Sequence, residues 1–388
     1  MILTFSECGY KVKDLVGGKN ASLGELYHLS KKLDFNIADG FAITTTFYME
    51  FIKNNNIDQL IEPIINEINS DNIEELNLGS KKIKELFKRS IFTNKQINLI
   101  FDSYKNLISK YNHDIQVAVR SSAVCEDLPN ASFAGQQDTY LNVNKNNLLY
   151  CIRNCFASLF NSRAISYRKT NNINFEDVKI SVGVQKMVRS DIGSAGVSFS
   201  IDPETGYDKA IVINSAFGLG ELVVSGGVKP DEFIVDKRTV GLNIQDPILS
   251  KQLGEKFTKI IYSKDGVKEI KTDKNEIKQF SLTNLQIEEL AFHVKQLEEQ
   301  YSIIFNKKMG VDVEWAVDGL DNKIYIIQTR PETVHNNKTN ILKKYKLMER
   351  GKKIISGVAV GEKISSGKVN KLKDISEFKN FSKNDVLV

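Results

Sequence analysis

Val311-Asp-Val-Glu-Trp-Ala-Val-Asp-Gly-Leu-Asp-Asn-Lys-Ile-Tyr-Ile-Ile-Gln-Thr-Arg-Pro331 carries two alternating runs on either side of a polar turn, Asp318 to Lys323. That pattern predicts a β-hairpin. Side chains alternate faces along a strand, so Asp312 and Glu314 share one face of the first strand, and Gln328 and Arg330 share one face of the second. A turn centred on Asp321 sets Glu314 opposite Gln328 and Asp312 opposite Arg330. Val311, Val313, Trp315, Val317, Tyr325 and Ile327 then form the buried face. The polar face combines two carboxylates, an amide oxygen and a guanidinium. Hard oxygen donors suit Mg²⁺, and a neighbouring arginine suits the phosphates that accompany it. The plainer reading of this stretch is a surface hairpin closed by an Asp312–Arg330 ion pair.

The chain has 388 residues, a length that predicts two to three domains. Hydrophobic residues make up 41% and charged residues 26%, an ordinary globular balance. No apolar run is long enough to span a bilayer. The N-terminal residues lack the basic and apolar regions of a secretory signal, so a cytoplasmic location is expected. The net charge of +5 is spread among lysines interleaved with acids, without the basic stripe of a nucleic-acid binder. Cys8, Cys125, Cys151 and Cys155 form no CxxC pair, and the four histidines do not cluster with them. Reduced core thiols are expected rather than a zinc site. Only 9 of the 53 basic residues are arginine, so an arginine within a site-like stretch is informative. Arg120 and Arg330 both qualify.

Gly17-Gly18-Lys19-Asn20 precedes a helix predicted from about Ala21 to Lys32. Asn20 or Ser22 can cap it, leaving free N–H groups beside Lys19 that suit an anion. A plain glycine turn is the competing reading. Residues 35–111 are mostly helical. In Val117-Ala-Val-Arg-Ser-Ser-Ala123 a strand ends in Arg120, and the small residues Ala131, Ser132, Ala134 and Gly135 follow. Such a loop lets backbone amides wrap a polyphosphate, and Arg120 can grip the same anion. The strand Val178–Val188 exits through Gln185, Met187 and Val188, which can flank a base or simply be buried. Glu221 follows a glycine-rich turn and is a weaker metal or ribose candidate. Residues 251–280 read as a polar, Lys-rich hairpin or excursion on the surface, and Leu282–Phe305 as an amphipathic helix. After Pro331 a linker containing His335 leads to a Lys-rich helical stretch and short strands, where a new unit starts and is cut off.

Taken in order, Val16-Gly-Gly-Lys-Asn-Ala-Ser-Leu-Gly-Glu25, Val117-Ala-Val-Arg-Ser-Ser-Ala123, Ala131-Ser-Phe-Ala-Gly-Gln136, Phe217-Gly-Leu-Gly-Glu221, Lys229-Pro-Asp231, Asp312-Val-Glu-Trp315 and Ile327-Gln-Thr-Arg-Pro-Glu332 resemble the N-terminal ATP-grasp module of the phosphoenolpyruvate synthase and pyruvate phosphate dikinase family. The resemblance covers about residues 10–333. It implies an α/β (α+β) ATP-grasp fold of two subdomains with the nucleotide cleft between them. Residues 1–190 would form the first, with a helical insert at about 45–111. Residues 191–335 would form the second, and residues 336–388 a linker and the incomplete start of a swivelling phosphohistidine domain.

The resemblance also implies roles. Lys19 and Arg120 would hold ATP phosphates, and Gly135, with Thr139 close by, would lie in the phosphate loop. Gln185, Met187 and Val188 would lie along the adenine. Glu314 and Gln328, with Asp312, would carry Mg²⁺, and Arg330 would stabilise charge on the transferring phosphates. In the whole family enzyme a mobile histidine takes phosphate from ATP, leaving AMP, and delivers it to pyruvate at a barrel domain. None of the four histidines here sits in the required Gly-Gly-x-x-x-His context. The histidine domain and the barrel would therefore be partners outside this chain, with homodimerisation of the full enzyme left open. Two other readings remain: the ATP module of a rifampicin phosphotransferase-type enzyme, and a non-catalytic nucleotide sensor.

Overall fold

The computed structural model describes residues 1–70, 72–111, 115–124, 127–128, 131–132, 138–171, 173–174, 178–242, 246–264, 266–332, 348–349, 366–371, 382 and 385–387. Gly135, Cys125, His113 and His335 lie outside them, as does nearly all of the segment expected to link to a further domain.

In chain order the elements are β1 (Ile2–Thr4), α1 (Lys13–Leu33), β2 (Asn36–Ile37), β3 (Gly40–Ile43), α2 (Thr45–Asn54), α3 (Ile57–Glu67), α4 (Ile73–Arg89) and α5 (Asn94–Ile108). Next come β4 (Val117–Ala123), the short β5 (Asp127–Leu128) and β6 (Ala131–Ser132), β7 (Thr139–Val143), α6 (Leu148–Ala157), α7 (Ser162–Thr170) and β8 (Ile180–Lys186). The second half has β9 (Ser194–Phe199), β10 (Ala210–Phe217), α8 (Glu221–Val224), β11 (Asp231–Asp236) and β12 (Ile248–Gln252). It continues through β13 (Thr258–Ser263), β14 (Gly266–Lys271), α9 (Lys274–Ile277), α10 (Asn284–Ile304), β15 (Val311–Val317) and β16 (Ile324–Pro331). Finally β17 (Lys368–Asn370) pairs in parallel with β18 (Asp385–Leu387).

Two larger sheets organise the molecule, one ordered β1-β3-β8-β4-β7 and the other β12-β11-β10-β9-β15-β16-β2. The fold is mixed α/β, of the ATP-grasp kind. Period-2 alternation explains the first sheet. Val117 and Val119 of β4, with Ile180, Val182 and Val184 of β8, pack into an aromatic-rich core with Phe47, Phe51, Phe87 and Phe156 of the helices. The alternate residues Ala118, Arg120, Ser122, Gly183, Gln185 and Met187 therefore face the other way, towards the second sheet. The second core is formed by Trp315, Val313, Ile326 and Phe233 with Leu290, Val294 and Leu297 of α10. Thr-x-x-Gln capping boxes start α5 (Thr93, Gln96) and α10 (Thr283, Gln286), satisfying amides that would otherwise lack partners.

Helix α1 belongs to both halves. Leu23, Leu26 and Leu29 pack in the second core, while Asn20 donates from Nδ2 to Ser181 Oγ of β8 at 3.0 Å. The helix starts earlier than the expected Ala21. A first turn forms from Lys13 and breaks at Gly17, whose φ of 72° and ψ of 171° lie outside the helical region. A Cβ there would sit 2.2 Å from the Ser122 carbonyl oxygen, so glycine allows both the turn and the approach to β4. The expected caps also differ. Ser22 Oγ donates to Thr329 O at 2.5 Å and meets Tyr301 Oη at 2.8 Å, tying α1 to β16. The Asn20 N–H is not free for an anion, because it donates to Ser122 Oγ at 3.2 Å.

The hairpin has the expected register, Asp312 with Arg330 and Glu314 with Gln328. A bulge follows, so Trp315 pairs with Ile326. One extra residue on β16 reverses its parity. Ile324 and Ile326 therefore enter the core beside Trp315, in place of the expected Tyr325 and Ile327. Those two pack on the opposite face, around Ala38, Val188, Ala195 and Ala316.

Candidate functional site

Between the two sheets, four of the sequence-predicted residues converge. Arg120 reaches out of β4 and donates from Nη2 to Gln328 Oε1 at 2.8 Å and to Glu314 Oε2 at 3.3 Å. Arg330 Nη2 lies 3.8 Å from the other Glu314 oxygen, Oε1. One carboxylate thus sits between two guanidiniums, one from each sheet. The Arg120 and Glu314 side chains are mostly buried, at 17% and 23% exposure, whereas Arg330 is 44% exposed. Lys19 joins from α1, its Nζ donating to Ser121 O at 3.3 Å, next to Arg120 in β4. Thr139 pairs directly with Arg120 across β4 and β7 and so shares its face. Asp312 lies one alternation from Glu314 on β15, on the same face.

The donor set bears on a metal. Among the described residues no three His, Cys, Asp or Glu side chains group to hold an ion. Glu314, Asp312 and the Gln328 amide supply two carboxylates and one neutral oxygen. That set is too small to enclose a cation, but it fits Mg²⁺, which keeps water and takes further oxygens from bound phosphate. Gln328 is 1% exposed, and its Nε2 has no hydrogen-bond partner among the described residues. A buried amide with one unmet group marks a polar position whose partners are incomplete.

About four residues along the chain from Arg120, roughly 13 Å at strand rise, a cavity of ≈ 290 Å³ opens between the first sheet and the two-stranded β13–β14 hairpin. Gln116, Asn142, Lys186, Met187, Arg189 and Tyr262 line it, with Ser263 and Lys264 from the β13–β14 hairpin. Its apolar floor adjoins the cluster of Ala118, Met187, Leu219 and Ile260. Lys186 is 8% exposed, and its ammonium lies 5.0 Å from the Tyr111 ring and 5.2 Å from the Tyr325 ring. Burial lowers its pKa, and Asp318 and Asp321 act in the opposite direction. The Arg189 guanidinium lies 5.0 Å from the Tyr262 ring and is held by Asp191 at 2.8 and 3.1 Å.

Of the stretch Gln185 to Val188, expected along a base, Lys186 and Met187 line the cavity. Gln185 is buried, and its Nε2 donates to Ala38 O and Ile327 O, each at 3.2 Å. Val188 packs with Ala38, Ala195 and Ala316. Glu221 begins the short α8 and is exposed, without a described bond to the Glu314 cluster. The hairpin expected within residues 251–280 is present as β13–β14, but the sequence reading took it as surface and passed over the wall that Tyr262, Ser263 and Lys264 form. The signal available was Tyr262, an aromatic inside an otherwise lysine-rich stretch. It also passed over Asn142 and Arg189. Arg189 carried the same hint as Arg120, being one of few arginines.

Residues 13–350 match the family described as pyruvate phosphate dikinase, AMP/ATP-binding domain. Phosphoenolpyruvate synthase of Helicobacter pylori is 42% identical over 397 aligned residues, covering 99% of this chain and 49% of that protein. The Aquifex aeolicus and Escherichia coli phosphoenolpyruvate synthases are 42% and 39% identical, each covering 100% of this chain and 46% and 49% of their own lengths. The chain thus spans about half the length of the curated relatives it matches. With the hairpin register, the convergence of Arg120, Glu314 and Gln328, and identity along the whole chain, this protein belongs to the pyruvate phosphate dikinase AMP/ATP-binding domain family.

Proposed function

We propose that this chain is the Mg-ATP-binding module of a phosphoenolpyruvate synthase-like dikinase, which moves a phosphoryl group from ATP to a histidine on a swivelling domain for delivery to pyruvate. The observation that carries this reading is the Arg120 bridge, in which one guanidinium from the first sheet meets Glu314 and Gln328 of the hairpin. Relatives named phosphoenolpyruvate synthase align along the full chain, which supports this reading over an antibiotic phosphotransferase. A bare nucleotide sensor would not need the second guanidinium, Arg330, beside Glu314.

On this reading residues 1–190 and 191–335 are the two lobes of the cleft, and residues 336–388 lead into the histidine domain. Lys19 and Arg120 bind the polyphosphate, with Thr139 beside it. Arg120 exchanges its carboxylate and amide partners for phosphate oxygens, which frees Glu314 and Gln328. These two, with Asp312, would hold Mg²⁺, which when bound supplies charge neutralisation for phosphoryl transfer. Arg330, more exposed than Arg120, stabilises the charge on the phosphoryl group as it leaves for the histidine. Met187 and the adjoining apolar floor take the base. A cavity of ≈ 290 Å³ is the size of a base rather than of a whole nucleotide, which leaves the phosphates in the open cleft. Gln185 and Val188 flank Met187 in the chain and tie this segment to the second sheet rather than to the base.

The test is a pair of variants in this chain. Glu314→Ala should abolish the Mg²⁺-dependent part of ATP binding measured by calorimetry. Arg330→Ala should bind Mg-ATP nearly as well as the parent, but transfer to a supplied histidine domain about 10²–10³-fold more slowly. Unchanged Mg²⁺ dependence in the first, or parental transfer in the second, refutes the assigned roles.

A further inference from the structure

The base-sized cavity is roofed by the β13–β14 hairpin, which arises from the second half of the chain. Its tip is bonded to one residue of the first half, Asn142. The amide Nδ2 of Asn142 donates to Ser263 O at 2.8 Å and to Gly266 O at 2.6 Å, one carbonyl on each strand of the hairpin. Asn142 is itself 7% exposed. Its backbone is set up for this task. Val117 and Val119 of β4 pair with Val143 and Tyr140 of β7, so two steps on one strand meet three on the other. The extra residue is a bulge, a feature that re-aims a side chain. Asn142 takes the left-handed conformation there, with φ 55°, which asparagine tolerates better than other non-glycine residues. The backbone N–H of Asn142 is directed at Met187 Sδ in the cavity floor. One residue thus touches the floor through its backbone and the roof through its side chain. Beside that tip the roof is stacked, with Tyr262, the residue before Ser263, over Arg189, in the segment where the chain crosses from the first sheet to the second.

We infer that the β13–β14 hairpin is a lid over the base cavity and that Asn142 is its latch, a positioning residue that sets how long a nucleotide stays bound. This rests on the reading of the cavity as a purine-nucleotide site. The latch makes two hydrogen bonds at one point. The roof is also held by the Arg–Tyr stack, by Ile260, which packs on Leu219 and accepts from the Leu219 N–H at 3.0 Å, and by Lys259, bonded to Glu276 at 2.7 Å. Breaking the latch therefore loosens the tip, which keeps only the stack of Tyr262 on Arg189 among its described ties to the first half, while the Leu219 and Lys259 bonds keep the base of the hairpin anchored.

Two variants test this in the full chain. Asn142→Gly keeps the left-handed backbone and removes the amide. Asn142→Asp keeps size and backbone preference but sets a carboxylate against two carbonyl oxygens. In the nucleotide-free protein, both should speed amide hydrogen exchange in residues 258–271 about tenfold and leave exchange in α10 unchanged. Release of a fluorescent (N-methylanthraniloyl) ATP, followed by stopped flow with Mg²⁺, should speed up about tenfold, with an association rate equal to or above the parent's. Such a split between release and capture is not expected of a general loss of folding. Unchanged exchange in residues 258–271 overturns the latch. Faster exchange with release unchanged to within twofold overturns the lid. If the parent protein does not bind the fluorescent ATP, the nucleotide reading fails, while the exchange measurement still reports on the latch.

Discussion

Replacing Asp231 by alanine is predicted to be among the costliest single changes in the second half of the molecule. Asp231 is 0% exposed and Lys256 1%. The lysine ammonium bonds to Asp231 Oδ1, which also accepts from the Gly254 N–H at 2.8 Å. Asp231 Oδ2 accepts from Ser281 N at 2.8 Å and from Ser281 Oγ at 2.7 Å. The carboxylate thus closes the excursion between Gly254 and Ser281, which contains the β13–β14 hairpin. Without it, Lys256 retains one described oxygen contact, Gly254 O at 3.4 Å. Breaking one side of a buried pair costs about 3–5 kcal/mol, a large share of a typical stability of about 5–15 kcal/mol. Lys256→Met should cost less, about 1–3 kcal/mol, because Asp231 keeps three neutral donors that continue to satisfy it. The single tryptophan, Trp315, is 1% exposed on β15 and reports unfolding of this half by fluorescence in urea. If Lys256→Met is as damaging as Asp231→Ala, or if Asp231→Ala loses under about 1 kcal/mol, the argument that the carboxylate serves as a hub fails.

Gly17→Ala should destabilise by at least about 2 kcal/mol, since a non-glycine residue in left-handed backbone costs about 1–2 kcal/mol and the new Cβ meets the Ser122 carbonyl at 2.2 Å. It should also weaken ATP binding measured well below the unfolding transition, because Lys19 is carried on the same turn. His293 is buried against Phe35, and burial lowers its pKa from the usual 6.5, with Gln296, Glu289 and Asp34 pulling the other way. The unfolded chain then takes up a proton at higher pH than the folded one, so this contribution is lost as pH falls below about 6.5. Urea midpoints taken from about pH 7.5 down to 5.5 should fall less steeply in His293→Gln than in the parent. Equal slopes would remove His293 from the pH response.

The hairpin and its register were legible because strand alternation and a polar turn are local properties. A period of two places Asp312, Glu314, Gln328 and Arg330 on one face without knowledge of anything beyond the turn. The bulge after Glu314 was not legible, since nothing in the alternation of the hairpin marks where β16 takes in its extra residue. Hence Ile324 and Ile326, rather than Tyr325 and Ile327, entered the core. The start of α1 was misplaced for a related reason. Glycines read as a loop, yet at Gly17 the chain breaks between two helical pieces because Ser122, more than 100 residues away, lies against it.

By itself the sequence determined which residue types were available and where: an acidic and amide face on one hairpin, a lysine after two glycines, an arginine at a strand end. Folding alone brought Arg120 to 2.8 Å from Gln328 across 208 positions of chain and set a lysine-rich excursion over a base-sized cavity. It also turned Asn142 towards that excursion. Those outcomes depend on long-range packing of two sheets against α1. No local pattern encodes such contacts, because the energy that selects them comes from apolar surface buried between segments far apart in the chain.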